Sequence, residues 1–76
     1  MQDILDLLTD IRPDVDFETQ TGLIDKGILN SFDIVTIIAE VDENFGVTIP
    51  AEEILPENFN SAESLYALIE RLSQGI

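Results

Sequence analysis

The chain has 76 residues, 45% of them hydrophobic, and a net charge of −13 from 16 acids against three bases, Arg12, Lys26 and Arg71. That length gives one domain with a small core, expected to span residues 1–76, and the apolar fraction argues against general disorder. Cysteine and histidine are both absent, which excludes disulfides and thiolate chemistry and removes the commonest general base and the commonest zinc ligand.

The first helix is read over residues 2–11. Ile4, Leu8 and Ile11 make an i, i+4, i+7 stripe, Leu5 and Leu7 widen it, and Asp3, Asp6 and Asp10 lie between them. Pro13 stops it. This acidic start is unlike the positive start of a signal peptide, and no apolar run approaches a membrane span. A cytoplasmic location without direct membrane insertion is therefore expected.

Residues 13–29 read as a long connection. PDVDFETQTG is polar, with Val15 and Phe17 as single anchors, and in LIDKGIL the pairs Leu23, Ile24 and Ile28, Leu29 tack the chain to the core. The second helix starts at Asn30 or Ser31 and runs to Phe45, with Gly46 as its stop. Ile34, Ile38, Val41 and Phe45 form its expected core stripe, and Ile37 widens it. Residues 47–50, VTIP, are extended, and Ala51–Leu55 makes a single turn ended by Pro56. Phe59 is a core plug, and Ile54 and Leu55 either roof the core or line an entrance. The last helix follows Asn60 or Ser61, with Asn60 and Glu63 in capping-box spacing. Leu65, Leu68, Ile69 and Leu72 form its buried stripe, Tyr66 packs at its edge with the hydroxyl wet, and Gly75 follows it. The fold class is all-α: a three- to four-helix bundle with a long loop between helices 1 and 2.

The stretch GILNSFDIV, residues 27–35, carries the candidate site. Two readings of it stand. In one, Ser31 caps the helix and does nothing else. In the other, Asn30 is the cap, Asp33 falls at N3, and the Ser31 hydroxyl at N1 points to solvent, where an attached phosphate would lie near free N–H groups and the positive end of the helix dipole. At 100° per residue, the flank away from the core runs from Ser31 and Asp42 through Val35, Ala39 and Phe32 to Glu43 and Thr36. A mixed apolar and acidic strip of this kind suits a basic-rimmed partner. Phe32 either belongs to that strip or folds back under the first loop onto Leu29.

From Leu23 to Pro50 the sequence LIDKGILNSFDIVTIIAEVDENFGVTIP resembles the phosphopantetheine-dependent acyl carrier proteins. The likeness rests on Asn30-Ser31-Phe32, on Asp42-Glu43-Asn44-Phe45 and on Ile49-Pro50, and length, acidity and helix order extend it over nearly the whole chain. It implies that a phosphopantetheinyl transferase moves 4′-phosphopantetheine from coenzyme A onto Ser31. The arm's thiol would then carry an acyl or aminoacyl group as a thioester between an adenylating, acyl-loading ligase and an acyl-consuming transferase or synthase, with no catalysis by the chain itself. The partner-facing residues are then Asn30, Phe32, Asp33, Val35, Thr36, Ala39, Asp42 and Glu43, and a monomer is expected. Asn30 stands where the family has aspartate. The cap survives but a charge is lost, so priming is expected to be selective for its transferase, with Asp25 and Asp33 compensating. Gly27-Ile28-Leu29, Phe32 and PENFNSAES resemble the D-alanyl and aminoacyl carrier branch.

Other classes fit less well. An acidic interaction module without a prosthetic group, an inhibitor or nucleic-acid mimic, shares the charge, which opposes direct binding of nucleic acid. Asp14, Asp16 and Glu18 hint at calcium, but Thr19 stands at the loop position that needs glycine and Asp25 at the one that needs glutamate. Carboxylates are plentiful, yet nothing in the sequence places two of them in a dry cleft, and no metal site is assigned.

Overall fold

The computed structural model describes residues 1–74. Helix α1 spans Gln2–Ile11, α2 Ser31–Phe45, α3 Pro56–Phe59 and α4 Ala62–Gln74, with a 3-10 turn at Ala51–Glu53 before α3. Among the described residues there is no strand. The expected all-α bundle with a long first loop is thus the observed one. Helix α1 packs on α2 and α4, and α3 packs on α4. The Cα radius of gyration is 11.3 Å, against about 11.4 Å for a compact domain of this length.

The core gathers one face of each helix. Ile4, Leu7 and Leu8 come from α1, Ile37 and Val41 from α2, and Ala62, Leu65, Leu68 and Ile69 from α4. Phe59, 2% exposed, is the plug its isolated position implied. The irregular segments add Phe17, Leu23, Leu29, Val47 and Ile49. Val47 and Ile49 point inward by alternation on an extended stretch that has no ladder partner. The long first loop is therefore fastened by its own apolar residues, as LIDKGIL suggested, with Leu23 and Leu29 buried and Ile24 and Ile28 half-buried.

Several expectations are corrected. The fully buried ridge of α2 is Ile37 and Val41, while Ile34, Ile38 and Phe45 are half-buried. Counted at 100° per residue from Ser31, the core side of α2 centres at roughly 260°, between Ile37 and Val41. A helix whose main helical neighbour is α1 buries one i, i+4 ridge completely and its flanks in part. Pro56 does not end a turn. It occupies the first turn of α3, where its missing N–H costs nothing.

Asn60 and Glu63 form no capping box. Ser61 closes α4, its Oγ accepting the Ser64 N–H at 3.0 Å, and this frees Asn60 for the first loop. The Asn60 carbonyl oxygen accepts the Leu23 N–H at 2.8 Å. Its Oδ1 accepts the N–H groups of Ile24 and Asp25 at 3.0 and 3.1 Å, and its Nδ2 donates to the Asp25 carboxylate. The Tyr66 hydroxyl is hydrogen-bonded to the Glu70 carboxylate one turn on, which raises its pKa above the usual tyrosine value. Gly75 lies outside the described residues.

Gly46 does stop α2. It sits at φ 66° and ψ 25°, the left-handed conformation glycine adopts without a Cβ penalty, and its N–H reaches the Asp42 carbonyl.

Candidate functional site

The first turn of α2 decides between the two readings of Ser31. Asn30 is the N-cap, in an extended conformation. Its Oδ1 accepts the Asp33 N–H at 3.0 Å, and the Asp33 carboxylate accepts the Asn30 N–H at 3.1 Å. This capping box satisfies two donors reciprocally. Ser31 is therefore N1 and is not needed as a cap. Its side chain is exposed, and its hydroxyl makes no hydrogen bond to another described residue. The N–H groups of Ser31 and Phe32 are the ones left open at the helix start, since Ile34 already bonds the Asn30 carbonyl.

The cap is tied to the rest of the molecule by Arg12. Its Nη1 donates to Asp33 Oδ2 at 2.7 Å and to the Ile28 carbonyl at 3.0 Å. Its Nε and Nη2 grip the Asp14 carboxylate, each at 3.0 Å. These contacts hold the guanidinium well above its ordinary pKa, with the Asp14 bonds the largest cause, and they hold Asp14 below its own. Asp33 is only partly exposed, since both its partners cover it, whereas Asn30 lies at the surface.

Phe32 does not fold under the first loop. It is 83% exposed, and Val35 on the next turn is 64% exposed. Thr36, Ala39, Asp42 and Glu43 are exposed too, so the strip projected on the helical wheel is solvent-facing along α2. Thr36 Oγ1 donates to the Phe32 carbonyl at 2.9 Å, which keeps that hydroxyl on its own helix. Ile54 and Leu55, 40% and 42% exposed, form no roof. A groove of about 590 Å³ runs between α1 and α2, with Asp3, Asp10, Glu40 and Phe45 in its wall, and Ser31 is not part of it. The candidate site is thus a surface hydroxyl rather than a cleft. Among the described residues no group of three or more acids is placed to hold a metal ion.

A hydroxyl open to solvent, beside two unpaired N–H groups at the positive end of a 15-residue helix, fits a phosphodiester. The profile of the phosphopantetheine attachment site family matches residues 1–69. The chain belongs to the acyl carrier protein family. That family's domain is the point of covalent 4′-phosphopantetheine attachment. The chain is 43% identical over 54 residues to aminoacyl carrier protein 1 of Bradyrhizobium diazoefficiens, a match covering 71% of this chain and 59% of that one. It thus spans less than two thirds of that relative. It is 29% identical over 70 residues to the D-alanyl carrier protein of Streptococcus suis, covering 91% and 89% of the two chains. A solved structure described as a crystal structure of FAD-dependent dehydrogenase contains a chain that superposes with a TM-score of 0.67 at 40% identity. That match covers 95% of this chain and all of the other.

The residue that sequence reading missed is Arg12. It lies outside the motif and reaches the site across the long loop. The one signal available was that it is a rare cation in a very acidic chain.

Proposed function

We propose that residues 1–76 act as one carrier unit whose Ser31 accepts 4′-phosphopantetheine and which conveys an aminoacyl or acyl thioester between enzymes. The observation that carries this reading is the unbonded, exposed hydroxyl at N1, one residue beyond a cap that closes without it. In the transfer, the Ser31 Oγ–phosphorus bond forms as the phosphoanhydride of coenzyme A breaks, and adenosine 3′,5′-bisphosphate departs as the leaving group. The hydroxyl proton goes to a base on the transferase: the chain has no histidine, and Asp33 already accepts from Arg12 and from the Asn30 N–H. The attached group supplies the thiol that this cysteine-free chain lacks.

Phe32 and Val35, with Thr36, Ala39, Asp42 and Glu43 around them, are the surface offered to the transferase, to an adenylating ligase that loads the cargo, and to the enzyme that consumes it. Asn30 and Asp33 hold the helix start that these enzymes meet. The relatives named aminoacyl and D-alanyl carriers support an aminoacyl cargo. The structure described as an FAD-dependent dehydrogenase supports including a flavin enzyme among the consumers, because a thioester acidifies the adjacent C–H bond that such oxidation removes. No helix among the described residues is long and apolar enough to cross a membrane, and the proposed setting is a monomer in the cytoplasm.

The test is intact mass after incubation with coenzyme A and a promiscuous phosphopantetheinyl transferase. A gain of one phosphopantetheinyl group, absent in Ser31→Ala, is expected. No gain with any transferase refutes the reading and favours the acidic module.

A further inference from the structure

We propose that Arg12 is a positioning residue for the modification of Ser31: through Asp33 it sets the first turn of α2 in the conformation that the transferase engages. This rests on Ser31 being the acceptor. Arg12 is itself held by α1, at whose C-cap it lies, with its backbone N–H on the Leu8 carbonyl at 2.9 Å. From there its side chain makes four hydrogen bonds. Two grip Asp14 at the start of the loop, one the Ile28 carbonyl near its end, and one Asp33 at N3 of α2. Asp33 Oδ2 is the shared atom, since it accepts both Arg12 Nη1 at 2.7 Å and the Asn30 N–H at 3.1 Å. Asp33, the N3 partner of the Asn30 cap that leaves Ser31 free, is therefore locked to the C-terminal end of α1 through one guanidinium.

Among the described residues no other side-chain hydrogen bond joins α1 or its C-cap to the first turn of α2, and α2 has no basic residue of its own. The planar fork of arginine can satisfy carbonyl and carboxylate acceptors in three directions at once; an ammonium cannot hold that arrangement. Without the fork, Asp33 keeps its bond to Asn30 but loses its anchor. The first turn then samples frayed states that a docking enzyme must first reverse, and apparent affinity falls with the competent fraction.

Charge and positioning predict opposite signs for the same substitution. Arg12→Gln makes the chain more acidic, so long-range attraction alone would speed its encounter with a basic transferase. Positioning predicts the reverse. The experiment measures priming kinetics of the apo chain with coenzyme A and a promiscuous transferase, together with amide exchange, for wild type, Arg12→Gln, Arg12→Lys, Asp33→Asn and the Arg12→Gln/Asp33→Asn pair. The expected result is kcat/KM lowered about ten-fold in Arg12→Gln, mainly through KM, with partial recovery in Arg12→Lys. The double variant should be no worse than the poorer single one. Amides of Asn30, Asp33 and Ile34, the hydrogen-bonded ones of the first turn, should exchange faster while those of Val41 and Leu65 stay protected, which a general loss of stability would not produce. Priming of Arg12→Gln at or above the wild-type rate, or exchange raised equally in the core, overturns the inference while leaving Ser31 as the acceptor. Failure of the wild type to be primed overturns both.

Discussion

Asn60 provides the sharpest test of how the long first loop is held. Asn60→Ala removes two acceptor contacts to the N–H groups of Ile24 and Asp25 and one donation to the Asp25 carboxylate. The Ile24 amide is half-buried and water replaces its partner poorly, whereas Asp25 is exposed and recovers much of its loss. At about 1 kcal/mol net per hydrogen bond, discounted for Asp25, the expected cost is about 1–3 kcal/mol. A domain of this length is stabilised by roughly 4–11 kcal/mol in all. The melting temperature should fall by about 4–8 °C per kcal/mol, so roughly 8–16 °C for a 2 kcal/mol loss. Asn60→Asp separates the contributions. It keeps both acceptor contacts but sets a second carboxylate against Asp25, so its loss should be smaller than that of Asn60→Ala and should shrink further in high salt. Thermal unfolding by circular dichroism at low and high salt, with amide exchange at Ile24 and Asp25, reads both effects. If Asn60→Ala melts within about 2 °C of wild type, or if Asn60→Asp is no better than Asn60→Ala in high salt, the loop is held by its apolar residues alone and the reasoning fails.

Other expectations follow from the same geometry. Asn30→Ala should cost about 1 kcal/mol in urea denaturation by removing the α2 cap. Asn30→Asp should keep stability within about 0.5 kcal/mol while priming faster at low salt, since an anion suits the helix start but meets Asp33. The single tyrosine and the absence of tryptophan make the titration of Tyr66 directly visible in its phenolate absorbance. Its midpoint should lie above the ordinary value, and Glu70→Gln should bring it back down, because the Glu70 hydrogen bond is the largest cause of the rise. Arg71 grips Glu53 with two bonds at 2.9 and 3.0 Å and lowers its pKa. A lowered folded-state pKa means that the unfolded chain takes up the proton first. The stabilisation is complete above about pH 5 and is lost as pH falls through the folded value, so Glu53→Gln should flatten the acid limb of a melting-temperature profile.

The parts of the fold legible in the sequence are those fixed by short-range periodicity. The bounds of α1 follow from Ile4, Leu8, Ile11 and Pro13, and those of α2 from Asn30 and Gly46, because caps and stops act within one turn. The free hydroxyl of Ser31 was legible to the extent that Asn30 and Asp33 carry capping-box spacing. The exposure of Phe32 was not, because an aromatic next to a long loop has two places to go and the choice belongs to tertiary packing. Asn60 shows the same limit from the other side. Asn60 and Ser61 are both good caps; Ser61 took the helix, and Asn60 took a loop more than thirty positions away, a partnership that no local pattern encodes. Pro56 was misjudged because the same ring that ends one element is well suited to begin another.

The distribution of charge connects these details to carrying. Of the three bases, Arg12 and Arg71 are used as cross-links inside the chain, the first to Asp14 and Asp33 and the second to Glu53. Lys26 makes no ion pair among the described residues. Most of the 16 acids are thus not neutralised from within, and their mutual repulsion is borne by the apolar core. Two consequences follow from that one arrangement. Added salt should raise the melting temperature by screening the repulsion, and it should slow priming by screening attraction to a basic transferase. Salt titrations of unfolding and of priming rate, run on the same sample, check the pair. If both move in the same direction, the excess charge is not what the partner reads, and recognition then rests on Phe32 and Val35 alone.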